Sequence, residues 1–288
     1  MLQNFKFWYI LYHIDWGDGM EKIILNDINF DEFVKLRKQG TKSSIYTDGK
    51  TCIKMLDGLS SEEKADLYWK FLEMDGISIA GVALPTSLIV ENDKFVGYTM
   101  NYFNNSLCFF DRFGSTKYVE CQEMFAAVKK ASLILRDIHS KGIICQDLSF
   151  YNILINNRGD VCFCDIDGCG YEEHLSPFIS LLLKKFMVDY RRKKPVYVSK
   201  NMDRLSLMLS FFLLSYTLEI QKVSDSRYDS LSRYLRTLEN CRSYANILTN
   251  KSANIPEIPY MDELIDTDDS GWINRDKQLS LIRKIIGR

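Results

Sequence analysis

Two short apolar runs, Ile153–Ile155 and Val161–Cys164, flank the polar turn Asn156-Asn157-Arg158-Gly159-Asp160. Short β-prone runs around a turn rich in Asn, Gly and Asp form a hairpin. Asn152 stands directly before the first run and Asp165 directly after the second, thirteen positions on; Asp147 precedes Asn152 by five. A hairpin brings its two ends back to one place. The loop before it and the return after it therefore gather two carboxylates and an amide at one end of the strand pair, which few arrangements of the remaining chain can accommodate.

The flanking sequence supports a mixed fold. Ser43–Tyr46 and Thr51–Met55 read as strands joined by Thr47-Asp48-Gly49-Lys50, since Asp-Gly between β-prone runs is a strong hairpin signal. Ser60-Ser61-Glu62-Glu63 has the composition of a capped helix start, and the helix is expected to run to about Met74. Strands Ser87–Glu91 and Lys94–Tyr102 follow, joined by Asn92-Asp93, and the polar stretch Asn101–Ser106 reads as a connector. From Tyr118 to Ser140, the residues Met124, Val128, Ala131, Leu135 and Ile138 recur at helical steps, and Gly142 after His139 and Lys141 is a helix stop. From about Leu175 onward the chain reads mostly as helix and loop.

Length and charge narrow the classes. At 288 residues the chain allows one large domain or two lobes. With 37 basic and 38 acidic side chains there is no bulk field to attract nucleic acid or an anionic membrane. The apolar run Leu205–Leu218 is 14 residues long, too short to span a bilayer, and its lack of a polar face fits a helix surrounded by protein. The eight cysteines are scattered in apolar surroundings and read as reduced thiols of a cytoplasmic protein. Cys162, Cys164 and Cys169 lack the second pair that a metal site requires. For residues 1–19 two origins stay open. Trp16-Gly17-Asp18-Gly19 before Met20 implies G-rich codons, as in a ribosome-binding sequence of a bacterial gene read in frame; the other origin is an extra segment packing on the domain.

The residues gathered at the hairpin carry a definite chemistry. One carboxylate can accept a hydroxyl proton, while an amide oxygen and a second carboxylate suit Mg²⁺, which takes a few oxygen ligands together with phosphates. Upstream, Lys54 lies inside the strand Cys52-Ile53-Lys54-Met55, where a buried ammonium requires anionic partners. A phosphate and a helix carboxylate would supply them.

Taken in order, these segments resemble the protein-kinase-like superfamily over about residues 36 to 220. Ile53-Lys54 is similar to the Val-Ala-Ile-Lys strand. His139 to Asn152 resembles the end of the long helix and the catalytic loop, and Asp165-Ile166-Asp167-Gly168 resembles Asp-Phe-Gly. Asp203, opening the apolar helix, matches the family's buried aspartate that braces the catalytic loop.

The resemblance implies an α+β, two-lobed fold. Residues 20–103 would form a lobe with an antiparallel sheet plus one helix, and residues 104–288 a mostly helical lobe. It implies ATP and Mg²⁺ as cofactors and phosphoryl transfer to a hydroxyl acceptor, with Ser/Thr of a protein as the first expectation. Asp147 would be the catalytic base, and Asn152 and Asp165 the Mg²⁺ ligands. Lys54 would bind the α/β-phosphates, paired with Glu63 first and Glu62 second. Gly40, Ser43 and Ser44 would belong to the phosphate-covering loop, Met100 would stand at the gatekeeper position, and Asn101 to Phe103 would offer hinge backbone to adenine.

The departures define the alternatives. Gly40-Thr41-Lys42-Ser43-Ser44-Ile45-Tyr46 has a single glycine instead of G-x-G-x-x-G, Gln146 replaces the arginine before the base, and Ser149 stands where a lysine is usual. Either a cation from Arg191-Arg192-Lys193-Lys194 substitutes for that lysine or transfer is slow, the basic run being otherwise a solvated surface, and Asp167 either adds a metal ligand or faces solvent. A small-molecule kinase and a pseudokinase acting as a nucleotide-binding or interaction module are the rival readings.

Overall fold

The computed structural model describes residues 19–36, 43–113, 121–171, 174–176, 196–208, 210–211 and 257–264. Residues 1–18, residues 37–42 around Gly40, which were expected to cover phosphates, Arg191–Lys194 and most of the stretch from 219 to 288 lie outside these. The chain divides into two compact units. One runs through Ile77 and takes in Pro85–Tyr102; the other takes in Ser78–Leu84 and continues from Phe103.

The first unit is built on strands β1 (Lys22–Ile24), β2 (Val34–Lys35), β3 (Ser44–Thr47), β4 (Thr51–Met55), β5 (Pro85–Glu91) and β6 (Lys94–Asn101), with helix α1 (Ser61–Glu73) between β4 and β5. The turns follow their residue chemistry. Asp48 Oδ1 accepts hydrogen bonds from the backbone of Lys50 at 2.8 Å and Thr51 at 2.6 Å, while Gly49 takes φ +90°. Asn92 and Asp93 both adopt positive φ, the conformation that a tight hairpin requires. At α1, the Ser60 side chain accepts from Glu63 N and Glu63 Oε2 accepts from Ser60 N, a complete capping box.

The six strands lie in the order β1-β5-β6-β4-β3-β2. The sheet is mixed, which corrects the antiparallel sheet expected from sequence: β1 pairs parallel to β5, whereas the other pairs are antiparallel. The chain between β1 and β5 passes through three strands and a helix, long enough to return in the same direction. One sheet face buries Ile53, Met55 and Ile89 under Leu25, Ile28, Phe30 and Phe33. The opposite face receives α1, whose Phe71 ring lies 4.7 Å from that of Tyr98 and 6.2 Å from that of Phe95. A register shift between Ile89 and Val90 lets Phe95 and Tyr98, three positions apart, turn to the same helix.

The second unit contains β7 (Ser106–Cys108), α2 (Phe109–Phe113), α3 (Cys121–Ser140), β8 (Ile143–Ile144), β9 (Ile153–Asn156), β10 (Val161–Phe163), β11 (Gly170–Tyr171), β12 (His174–Ser176), β13 (Val196–Val198), a helix α4 over 200–208, and α5 (Met261–Leu264). Among the described residues, seven short strands share this unit with the helices, and most of the stretch expected to be helical beyond Leu175 lies outside them. In particular, β12 and β13 pair where helix and loop were expected. Periodicity fails there because three-residue strands are specified by distant partners.

Its core is α3 and α4. Met124, Val128, Ala131, Leu135 and Ile138, the stripe legible in the sequence, are all buried. Residues 205–208, 210 and 211 of the apolar run are buried, as its missing polar face implied, and the rest of Leu205–Leu218 lies outside the described residues. Among the described residues no helix is long and apolar enough to cross a membrane. The hairpin β9–β10 pairs Ile153 with Phe163 and extends to β7 through β9. Residues 78–84 join it: Ala83 N donates to Phe163 O and Phe163 N to Gly81 O, each at 2.8 Å. Gly81 is required there, since a Cβ would lie 2.6 Å from Ile134 Cδ1 at φ +77°.

Candidate functional site

The segment between β8 and β9 is shaped by one buried side chain from α4. Asp203 Oδ2 accepts from Cys145 N at 2.6 Å and its Oδ1 accepts from Gln146 N at 3.0 Å. Gln146 is held at φ +58°, left-handed space that a non-glycine residue occupies at a cost of about 1–3 kcal/mol. Charge-assisted hydrogen bonds in a buried setting offset that cost. With Gln146 so turned, Asp147 N reaches back to Cys145 O at 2.6 Å, and the chain reverses sharply to present Asp147 half-buried at the loop's edge. His139, at the end of α3, completes the support through Nε2, 3.0 Å from Asp203 Oδ2.

Asn152 closes the loop. Its Nδ2 donates to Asp147 O at 2.9 Å, and its backbone oxygen accepts from Cys164 N at 2.9 Å, clamping the open end of the hairpin. Asp165 follows at once, exposed and left-handed at φ 59°, ψ 53°, and starts the 3-10 turn Ile166–Gly168. Gly168 brings that turn against the loop: a Cβ there would meet Asp147 Cβ at 3.3 Å and Cys145 O at 3.5 Å. The fold thus brings Asp147, Asn152 and the Asp165–Gly168 turn together within one unit.

Asn152 and Asp165 are the residues that could hold a hard cation here. Among the described residues no three His, Cys, Asp or Glu side chains converge as a metal site. With its NH₂ committed to Asp147 O, the Asn152 amide keeps its oxygen as a ligand, and Asp165 adds an exposed carboxylate. Two such oxygens with phosphate oxygens are what Mg²⁺ characteristically uses.

The remaining expected site residues are described within their own units. Lys54 is buried and pairs across the strands with Tyr98, its ammonium 5.9 Å from that ring. Cross-strand partners share a face, so Lys54 lies on the side that receives α1. Of the two glutamates considered for it, Glu62 is exposed, whereas Glu63 is half-buried one turn before Leu67 on the inner stripe of α1. Met100 is buried opposite Cys52, and Asn101 is exposed opposite Thr51 at the end of β6. Phe103 belongs to the second unit, where its carbonyl accepts from Ser106 Oγ at 2.7 Å. Ser43 precedes β3 and Ser44 opens it opposite Met55. Gly40 falls outside the described residues.

No protein-family model matches the chain, and no curated protein sequence matches it significantly. The site therefore stands on its own geometry.

The cysteines near the site behave as core thiols. Cys52, Cys108, Cys145, Cys162, Cys164 and Cys169 form no disulfide. Hydrogen bonding to Cys169, burial and the Asp203 carboxylate push the Cys145 thiol well above its ordinary range. Burial pushes Cys52, against the opposing pull of Lys54, and Cys162 to about 11.

Two features of the site escaped the sequence. The left-handed Gln146 had no signal, because glutamine is not a residue that favours positive φ. The docking of Tyr260 on His139, with its hydroxyl 2.8 Å from Nδ1, joins positions 121 apart.

Proposed function

We propose that the chain is an ATP- and Mg²⁺-dependent phosphotransferase with a two-lobed, protein-kinase-like fold, which transfers the γ-phosphoryl group to a hydroxyl, with Ser/Thr of a protein as the first-choice acceptor and a small-molecule alcohol as the alternative. The observation that carries this reading is the loop Cys145–Asn152, braced by Asp203 and packed against Gly168 so that Asp147, Asn152 and Asp165 share one end of a hairpin. Such a loop supplies a fixed carboxylate beside two oxygen ligands, which is the equipment phosphoryl transfer needs.

In this reading Asp147 takes the proton of the acceptor hydroxyl as its oxygen attacks the γ-phosphorus and ADP leaves. Asn152 and Asp165 would hold Mg²⁺, which would supply charge neutralisation at the phosphates. Lys54, braced by Glu63, holds the α/β-phosphates. Gly40, Ser43 and Ser44 cover them, Asn101 to Phe103 offer hinge backbone to the adenine, and Met100 stands behind it as gatekeeper. Positioning and charge neutralisation supply most of the rate, since the reaction needs little covalent chemistry from the protein.

A second reading draws on Gln146 and Ser149, both buried where the family has cations. A buried serine brings no charge to a transferred phosphate, which favours a nucleotide-binding module without turnover. Both readings place nucleotide in the same site, so thermal unfolding with ATP tests them together. ATP with Mg²⁺ is expected to raise the unfolding temperature, as a ligand of the native state stabilises by RT ln(1 + [L]/Kd). An unchanged unfolding temperature at millimolar nucleotide contradicts both.

A further inference from the structure

The segment 257–264 is bound to α3 and α4 by side chains distant in sequence. Arg204 Nη1 donates to Glu257 Oε1 and, at 2.8 Å, to Ile258 O. Ser132 Oγ donates to Asp262 Oδ1 at 2.7 Å, and Arg136 Nη2 donates to Asp262 Oδ2 at 2.8 Å and to Glu263 Oε1 at 2.7 Å. At the centre is Tyr260, 7% exposed, whose ring centroid lies 4.2 Å from the Arg136 guanidinium carbon and 3.9 Å from that of Arg204. Both guanidinium groups pack against the ring within cation–π range. The ring is fixed in depth and tilt, and its hydroxyl arrives 2.8 Å from Nδ1 of His139.

His139 is itself 1% exposed, so neither ring nitrogen has water to fall back on. Nε2 faces a carboxylate oxygen of Asp203, an acceptor only, and therefore carries a proton. The same Oδ2 atom also receives the Cys145 N–H. If the proton moved to Nδ1 alone, the Nε2 lone pair would face the carboxylate, and the repulsion would push Asp203 off the two N–H groups that turn the chain into Asp147.

We propose that Tyr260 is a positioning residue for the catalytic loop: its hydroxyl donates to Nδ1 of His139, fixes the imidazole with its proton on Nε2, and so holds Asp203 on the backbone of Cys145 and Gln146. The consequence for turnover rests on the reading of Asp147 as the base. The structural half does not.

The test uses the full chain, ¹⁵N-labelled at histidine, with the His139 signals assigned by their loss in His139→Gln. The wild type should show a protonated Nε2 and a non-protonated, hydrogen-bonded Nδ1. Tyr260→Phe keeps the ring against Arg136 and Arg204 and deletes only the hydroxyl. It should mix the tautomers, speed exchange of the Gln146 amide, and lower kcat about tenfold while KM for ATP stays within about twofold. A wild-type ring protonated on Nδ1 overturns the proposal without any variant. So does a folded Tyr260→Phe protein with the wild-type His139 signals and Gln146 exchange. If the wild type transfers no phosphoryl group, the phosphotransferase reading fails, while the histidine signals and the amide exchange still decide the role of Tyr260.

Discussion

Oδ1 of Asp203 accepts a hydrogen bond from the backbone nitrogen of Gln146 at 3.0 Å, across 57 positions of sequence. That bond, with its partner from Cys145, holds a glutamine in left-handed space and sets the direction in which Asp147 leaves the loop. Asp203→Ala removes the acceptor for two buried backbone donors and for His139 at once. Unpaired buried donors cost about 1–3 kcal/mol each. The variant should lose on the order of 3–5 kcal/mol of stability in urea unfolding. A loss below about 1 kcal/mol would show that the loop does not depend on Asp203.

Gly168→Ala tests the contact between the Asp165 turn and the loop. A methyl group 3.3 Å from Asp147 Cβ and 3.5 Å from Cys145 O forces a shift of a few tenths of an ångström. The main effect should fall on function, because small displacements of a reacting group cost rate steeply. The expected result is a fall of about tenfold or more in phosphoryl transfer, with the unfolding midpoint close to wild type. Unchanged transfer would mean that the turn does not position Asp147.

How much of this was legible in the sequence depends on the range of the interaction. The stripe Met124, Val128, Ala131, Leu135 and Ile138, the Ser60–Glu63 cap and the Asn92-Asp93 turn are local, and each formed where its pattern placed it. The order Asp147, Asn152, Asp165 was legible for the same reason, since a hairpin fixes its own ends. Strand β1 was not, because its partner β5 lies 66 positions on and three residues carry no period. Nor was the support behind the loop: His139–Asp203 and His139–Tyr260 span 64 and 121 positions, and no spacing rule links them.

The thiols give a pH dependence with a definite sign. Burial raises Cys52 and Cys162 from 9.0 to about 11, so the folded chain keeps protons that the unfolded chain releases between those values. Their contribution to stability is complete below pH 9 and is lost as pH rises toward 11. At pH 8, alkylation should spare Cys52, Cys145 and Cys162 in the native protein and label all three in urea, read by peptide mass spectrometry. Native labelling of Cys145 at the unfolded rate would contradict its burial against Cys169.

Acid acts on the segment 257–264. Burial raises the Asp262 carboxyl, but the Ser132 hydrogen bond and the Arg136 guanidinium outweigh it and leave the group below its ordinary value of 3.8. Its contribution is therefore present above about pH 4 and is lost as pH falls below that. Hydrogen exchange, corrected for the intrinsic pH dependence, should show protection of this segment at neutral pH and its selective loss as the pH is taken below about 4, ahead of α3. Simultaneous loss over α3 and the segment would show that the two do not separate.

The central claim is that Asp147 serves phosphoryl transfer. The most direct measurement follows label from γ-labelled ATP into protein acceptors of a cell lysate, and into the chain itself, with wild type and Asp147→Asn side by side, each with and without Mg²⁺. The expected result is Mg²⁺-dependent incorporation by the wild type that falls at least about a hundredfold in the variant, in line with the loss of a general base. Equal incorporation by both proteins, or none by the wild type at millimolar nucleotide, would contradict it.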